Sequence, residues 1–137
     1  MKVVLQRVKK ASVVVGNDTV GRIDRGLCLL VGVERGDTEE DVQFLAKKIV
    51  ELRIFPDEDG KMNLSVGDIN GGILAISQFT LAGSVKKGRR PSFDKAEKPE
   101  RAGVLFNSFV ERLREHGMVV ETGKADPDGY YQYEVKQ

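Results

Sequence analysis

The segment Ile73-Leu74-Ala75-Ile76-Ser77-Gln78-Phe79-Thr80-Leu81 constrains this chain more than any other, because it is an aliphatic run that turns polar partway along. A continuous apolar run of this kind reads as a strand covered on both faces. Ser77, Gln78 and Thr80 must then find hydrogen-bond partners or lie where a ligand reaches them. On an extended strand Gln78 and Thr80 share one face, and Ser77 and Phe79 the other. The basic loop Lys86-Lys87-Gly88-Arg89-Arg90-Pro91-Ser92-Phe93 follows directly. A buried strand, a polar mouth and a positive loop in succession make this the candidate site.

The rest of the chain is consistent with one domain over residues 1–137, since 137 residues with 40% hydrophobic and 31% charged content suffice for a single core. Met1 to Arg7 is charged too early for a signal peptide, and no apolar stretch has the length to cross a bilayer, so a cytoplasmic protein without membrane partners is expected. The single cysteine, Cys28, sits in Leu27-Cys28-Leu29-Leu30-Val31 and reads as a small core hydrophobe rather than a site.

The formal net charge of +1 conceals an uneven distribution. No acid precedes Asp18 and none lies between Gly71 and Phe93, whereas Lys2, Arg7, Lys9 and Lys10 occupy the first stretch and Lys86, Lys87, Arg89 and Arg90 the second. A solvated surface is the commoner fate of such runs. A polyanionic partner is the sharper reading, because local clusters set where phosphates bind.

Short β-rich runs at Lys2 to Val8, Ala11 to Val15, Thr19 to Ile23 and Leu27 to Val33, with turn chemistry at Asn17-Asp18 and Asp24-Arg25-Gly26, predict an antiparallel meander. Asp37-Thr38-Glu39-Glu40 followed by Val42, Leu45, Ala46 and Ile49 predicts a helix from about Thr38 to Leu52. Arg53-Ile54-Phe55 reads as a strand, and Pro56 to Gly60 as an acidic turn with too few acids at the right spacing for a calcium loop. Pro99 opens a second helix whose apolar stripe is Leu105, Phe106, Phe109, Val110 and Leu113, and Met118 to Thr122 is a further strand.

Residue inventory sets several chemistries aside. His116, the sole histidine, lies beside Gly117 at a helix end, and with no second histidine or cysteine cluster a zinc site is not expected. A Ser-His-Asp triad would require His116 to reach Ser77 or Thr80. Neither a Walker-type loop nor a Gly-x-Gly-x-x-Gly turn opens a helix, so no nucleotide cofactor is indicated.

Taken in order, Gln6-Arg7-Val8, Arg53-Ile54-Phe55 with Gly60-Lys61-Met62-Asn63, Ser77-Gln78-Phe79-Thr80-Leu81, Gly88-x-Arg90-Pro91-Ser92-Phe93 and Glu121-Thr122-Gly123 resemble the D-aminoacyl-tRNA deacylases from Met1 to about Lys124. The resemblance implies an α/β fold with antiparallel sheets curled into a barrel-like roll and two flanking helices. It further implies a homodimeric, metal-free hydrolase without cofactor, acting on the ester between a D-amino acid and tRNA. Its partner would be aminoacylated tRNA, with no DNA. The resemblance marks Thr80 as a proposed nucleophile and Ala102 as a wall of the amino-acid pocket. A Thr hydroxyl is weak without an adjacent base, and the strand shows none. Our reading is that Ser77, Gln78 and Thr80 position the terminal ribose, whose 2′-hydroxyl or a water beside it assists cleavage. Backbone N–H groups near Phe79 and Thr80 would hold the oxyanion. Arg7 and the Lys86, Lys87, Arg89 and Arg90 loop would bind RNA phosphates.

Beyond Lys124 the residues depart from the family pattern, which continues with a Phe-Gly-Ala segment and a Gly-Pro pair that rejects L-amino acids. No Gly-Pro dipeptide occurs in Ala125 to Gln137, so a weakened rejection of L esters is expected, and Tyr130 to Val135 reads as one strand. The competing function is a catalytically impaired RNA-binding or assembly protein that keeps the fold.

Overall fold

The computed structural model describes residues 1–123 and 132–136. Strands β1 (Lys2–Val8), β2 (Lys10–Val15), β3 (Asp18–Ile23) and β4 (Gly26–Gly32) precede helix α1 (Glu39–Glu51). Then come β5 (Phe55–Pro56), β6 (Met62–Leu64), β7 (Gly72–Ser77), helix α2 (Pro99–Glu115), β8 (Val119–Thr122) and β9 (Gln132–Lys136).

The first four strands are not a simple meander. β1 pairs antiparallel with β4, whereas β2 pairs with β3, so the chain leaves one sheet for the other at Lys9. The larger sheet has the order β1-β4-β7-β8, the smaller β3-β2-β9, and β5 and β6 form a separate pair. The expectation of antiparallel sheets is also corrected, because β4 with β7 and β7 with β8 run parallel. Parallel neighbours require a long crossover, and α1 and α2 supply one each. The result is an α/β core of β4-α1-β7-α2-β8.

The aliphatic run that opened the sequence reading is the centre of this core. With a side-chain period of two, Ile73 and Ala75 join Leu27, Leu29 and Val31 under the helices. Leu74 and Ile76 point the other way and meet Cys28, Val8, Ala11, Val13 and Ile23 between the two sheets. Both faces of β7 are therefore dry, and Ile73 to Ile76 are fully buried. Gly21 lets the sheets approach: a Cβ there would lie 2.3 Å from the Thr122 carbonyl oxygen.

The helices follow their sequence signals closely. The Thr38 N–H donates to the Asp41 carboxylate at 2.9 Å and starts α1, which buries Val42, Ala46 and Ile49. Pro99 occupies the first turn of α2, where its missing N–H costs nothing, and all five residues of the expected stripe are buried. Burying a phenylalanine such as Phe109, which is fully enclosed, stabilises the fold by roughly 1.5 to 3 kcal/mol.

Three expectations shift. Arg53-Ile54-Phe55 contributes only the two-residue β5. The strand expected through Leu81 ends at Ser77, and Phe79–Ala82 forms a 3-10 helix instead. The Gln78 N–H still reaches the Val31 carbonyl at 2.7 Å, after which the chain folds over the end of β4, where Gly32 leaves space for Leu81. Of the expected Tyr130 to Val135 strand, Gln132–Lys136 pairs with β2 and residues 124–131 lie outside the described residues.

Candidate active site

The ends of β4 and β7 open into a cavity of about 580 Å³. Ser77, Gln78 and Phe79 form one wall, where the last rung of β7 gives way to the 3-10 turn. Pro99, Ala102 and Gly103 at the start of α2 form the opposite wall. Between them runs the segment Phe93 to Lys98, strapped to the chain after β4. Arg35 N–H donates to the Lys95 carbonyl at 2.9 Å and Glu97 N–H to the Val33 carbonyl at 3.0 Å, and the Arg35 side chain reaches the Ala96 carbonyl at 3.3 Å. The structure thus brings Ser77, Gln78, Phe79 and Ala102 together. Phe93, the last residue of the basic loop, also lines it, and the structure adds Arg35, Ala96, Glu97, Lys98, Pro99 and Gly103, none of which the sequence reading placed in a site.

Because the strand ends at Ser77, extended-strand periodicity does not govern Gln78 and Thr80. The two side chains meet directly: the Gln78 side-chain amide donates to the Thr80 hydroxyl at 2.5 Å, and Thr80 stands outside the cavity lining on the exposed turn. Its partner is an amide, which is no base. The N–H groups of Phe79 and Thr80 open the turn, and among the described residues neither has a backbone acceptor. Phe79 and Phe93 meet edge to face at 5.5 Å beside the cavity, and they remain 57% and 39% exposed.

The basic residues divide into two groups. Lys86 and Lys87 line a separate recess with Ser84, Ser92 and Lys95, and the loop that carries them and exposed Arg89 and Arg90 is pinched at its base. There Ser84 N–H donates to the Ser92 carbonyl at 2.7 Å and the reciprocal bond is 2.8 Å. Arg7 does not belong with them. It lies level with Leu27 in β4, whereas Ser77 is level with Val31. Four residues of strand, about 13 Å, separate the two ends. Arg7 instead donates to the Ile54 carbonyl at 2.8 Å and borders a second cavity with Lys9 and Arg25.

His116 caps the C-terminus of α2, some fourteen residues along the helix from Ala102, or about 21 Å, so it forms no triad with Ser77. Cys28 is buried, and that burial pushes its thiol pKa up, away from reactivity. Two exposed turn carboxylates shift the other way. The Lys61 N–H holds Asp57 below its ordinary range, and the Ser65 N–H does the same for Asp68. Both belong to the β5–β6 region and β7 approach rather than to the cavity. Among the described residues no three His, Cys, Asp or Glu side chains gather as a metal site, and no helix is long and apolar enough to cross a membrane.

With this geometry in view, a family model described as D-Tyr-tRNA(Tyr) deacylase matches residues 4–129. A D-aminoacyl-tRNA deacylase of Persephonella marina is 63% identical over 123 residues, covering 90% of this chain and 83% of the relative. One from Halalkalibacterium halodurans is 58% identical over 124 residues, covering 90% and 85%. Among solved structures, the c-Myc DNA Unwinding Element Binding Protein is similar with a TM-score of 0.90 at 40% identity, covering 99% of this chain and 91% of that one. A probable eukaryotic D-amino acid tRNA deacylase shares the fold with a TM-score of 0.80 at 18% identity, covering 98% and 92%. The matched span includes every residue that lines the cavity, and the chain belongs to the D-Tyr-tRNA(Tyr) deacylase family.

Proposed function

We propose that this chain hydrolyses the ester bond of D-aminoacyl-tRNA, releasing free tRNA and the D-amino acid. The family membership and the names of its relatives support that reaction. The observation that carries the chemistry is the pair of Phe79 and Thr80 N–H groups without backbone acceptors at the end of β7. A water attacks the ester carbonyl, negative charge grows on its oxygen, and these donors receive it. The bond to the ribose oxygen then breaks and that oxygen takes up a proton. One such donor is worth roughly 3 to 4 kcal/mol in comparable sites.

Ser77 and Gln78 position the terminal ribose, Thr80 holds the Gln78 amide in place, and the ribose 2′-hydroxyl assists the attacking water. Ala102 presents only a methyl group to the cavity, which leaves room for the amino-acid side chain. Its volume of about 580 Å³ falls in the ordinary range for small-molecule sites and suits an aminoacyl group with part of its nucleoside. Lys86, Lys87, Arg89 and Arg90 contact RNA phosphates beside this cavity, whereas Arg7 serves phosphates at the far end of β1. The working protein is a cytoplasmic homodimer, and the two stacked sheets form a barrel-like roll.

The test is to incubate the purified chain with D- and L-tyrosyl-tRNA and follow loss of the ester. Hydrolysis of the D ester supports the proposal. Stable binding of charged tRNA with no ester loss would instead favour an RNA-binding protein that has kept only the fold.

A further inference from the structure

Among the described residues lining the cavity between β7 and α2, one is an acid. Glu97 stands with Arg35 and Lys98 in an otherwise uncharged wall, so the cavity carries both signs at defined places. The Glu97 side chain is only 12% exposed. A carboxylate this enclosed needs partners, because the solvent that would otherwise stabilise it has been largely removed.

Among the described residues its partners do not saturate it. One carboxylate oxygen, Oε1, accepts the Lys98 N–H at 2.8 Å. The other, Oε2, lies 3.7 Å from the Arg101 Nε, an attractive distance but too long for a hydrogen bond. Arg101 is committed elsewhere, since its Nη2 donates to the Asp37 carbonyl at 2.7 Å. A carboxylate offers about four acceptor positions, so Glu97 retains acceptor capacity on the cavity wall. The backbone holds it there: the Glu97 N–H is tied to the Val33 carbonyl, and Pro99 begins α2 two residues later.

We infer that Glu97 accepts the α-ammonium group of the aminoacyl ester and so makes this site selective for substrates with a free amino group. The inference rests on the deacylase reading of the same cavity. An aminoacyl ester carries one positive charge, and that charge lies two bonds from the carbonyl that must reach the Phe79 and Thr80 N–H groups. A carboxylate on the segment that runs between the end of β7 and the start of α2 holds the amine in the same cavity that Phe79 lines, and so orients the carbonyl as well as binding the amine. An N-acylated ester, such as the end of a peptidyl-tRNA, lacks the charge and adds a group that the enclosed carboxylate cannot solvate. Glu97 is thus a specificity-determining residue.

The experiment compares D-tyrosyl-tRNA with N-acetyl-D-tyrosyl-tRNA on the wild-type protein and on Glu97→Gln. Glutamine keeps the size and can still accept the Lys98 N–H, so the change removes charge with little else. The wild type should favour the free amine, and Glu97→Gln should reduce that preference by about ten-fold, chiefly through KM for the free-amine substrate. Thermal unfolding of both proteins should coincide, which separates a lost contact from a lost fold. Equal kcat/KM for the two substrates on the wild type, or an unchanged preference in Glu97→Gln, would overturn the assignment. A wild type that cleaves neither ester would count against the deacylase reading itself.

Discussion

Thr80→Ala separates two accounts of the chemistry by magnitude. If Thr80 acts as nucleophile, its removal abolishes the covalent route, a loss that in a well-studied hydrolase reaches about a millionfold in kcat. The geometry argues for a much smaller effect. The Thr80 hydroxyl sits on an exposed 3-10 turn, outside the cavity lining, and among the described residues its side-chain bond is the one it accepts from Gln78 at 2.5 Å. Removing that hydroxyl releases the Gln78 amide, and a typical neutral hydrogen bond contributes a net 0.5 to 1.5 kcal/mol, or roughly a two- to twelve-fold change in rate. The backbone donors at Phe79 and Thr80 survive the substitution. Single-turnover deacylation of D-tyrosyl-tRNA, with tRNA binding measured in parallel, should therefore show a Thr80→Ala protein within about ten-fold of wild type. A substrate ending in 2′-deoxyadenosine should be cleaved far more slowly by both proteins. A Thr80→Ala protein that binds tRNA normally yet loses more than a thousandfold in rate would refute this reasoning and restore Thr80 as nucleophile.

Replacing Arg89 and Arg90 with Ala should weaken binding of all charged tRNAs alike and flatten the slope of log affinity against log salt by about 1.5, as expected for two lost phosphate contacts. A selective loss for one amino acid would contradict it. Phe109→Ala should cost about 3 to 5 kcal/mol, because the ring is fully buried between α2 and the sheet and leaves a cavity. Urea unfolding would show this as a lower midpoint at an unchanged slope, and a loss below 1 kcal/mol would mean the core collapses around the gap far more readily than its packing suggests.

Several elements of this protein were legible in the residues alone because their causes are local. The Asp37-Thr38-Glu39-Glu40 run marks the start of one helix, although the cap itself is Thr38 with Asp41; Pro99 starts another, and the apolar spacing of Leu105, Phe106, Phe109, Val110 and Leu113 marks the buried face. The aliphatic run Ile73 to Ile76 announced a strand dry on both sides, and the polar residues after it announced a mouth. The ordered motifs carried the family. What stayed hidden depends on partners distant in the chain. Nothing within β4 or β7 states that they run parallel, since that pairing is set by the crossover of α1 and the packing of its apolar face. The strand does not continue past Ser77 because Leu81 folds onto Gly32, a contact across nearly fifty residues. Arg35, Glu97 and Lys98 line the cavity for the same reason: the backbone after β4 hydrogen-bonds to the segment before α2, and local periodicity carries no trace of that meeting. Arg7 and the Lys86 to Arg90 loop look alike as basic stretches, yet strand register holds Arg7 at the opposite end of the sheet from Ser77. Residue chemistry determined which groups can act and which segments are buried, because those are properties of single side chains and their near neighbours. The site's walls were decided by tertiary structure, because only the closed chain fixes the distance between groups far apart in sequence.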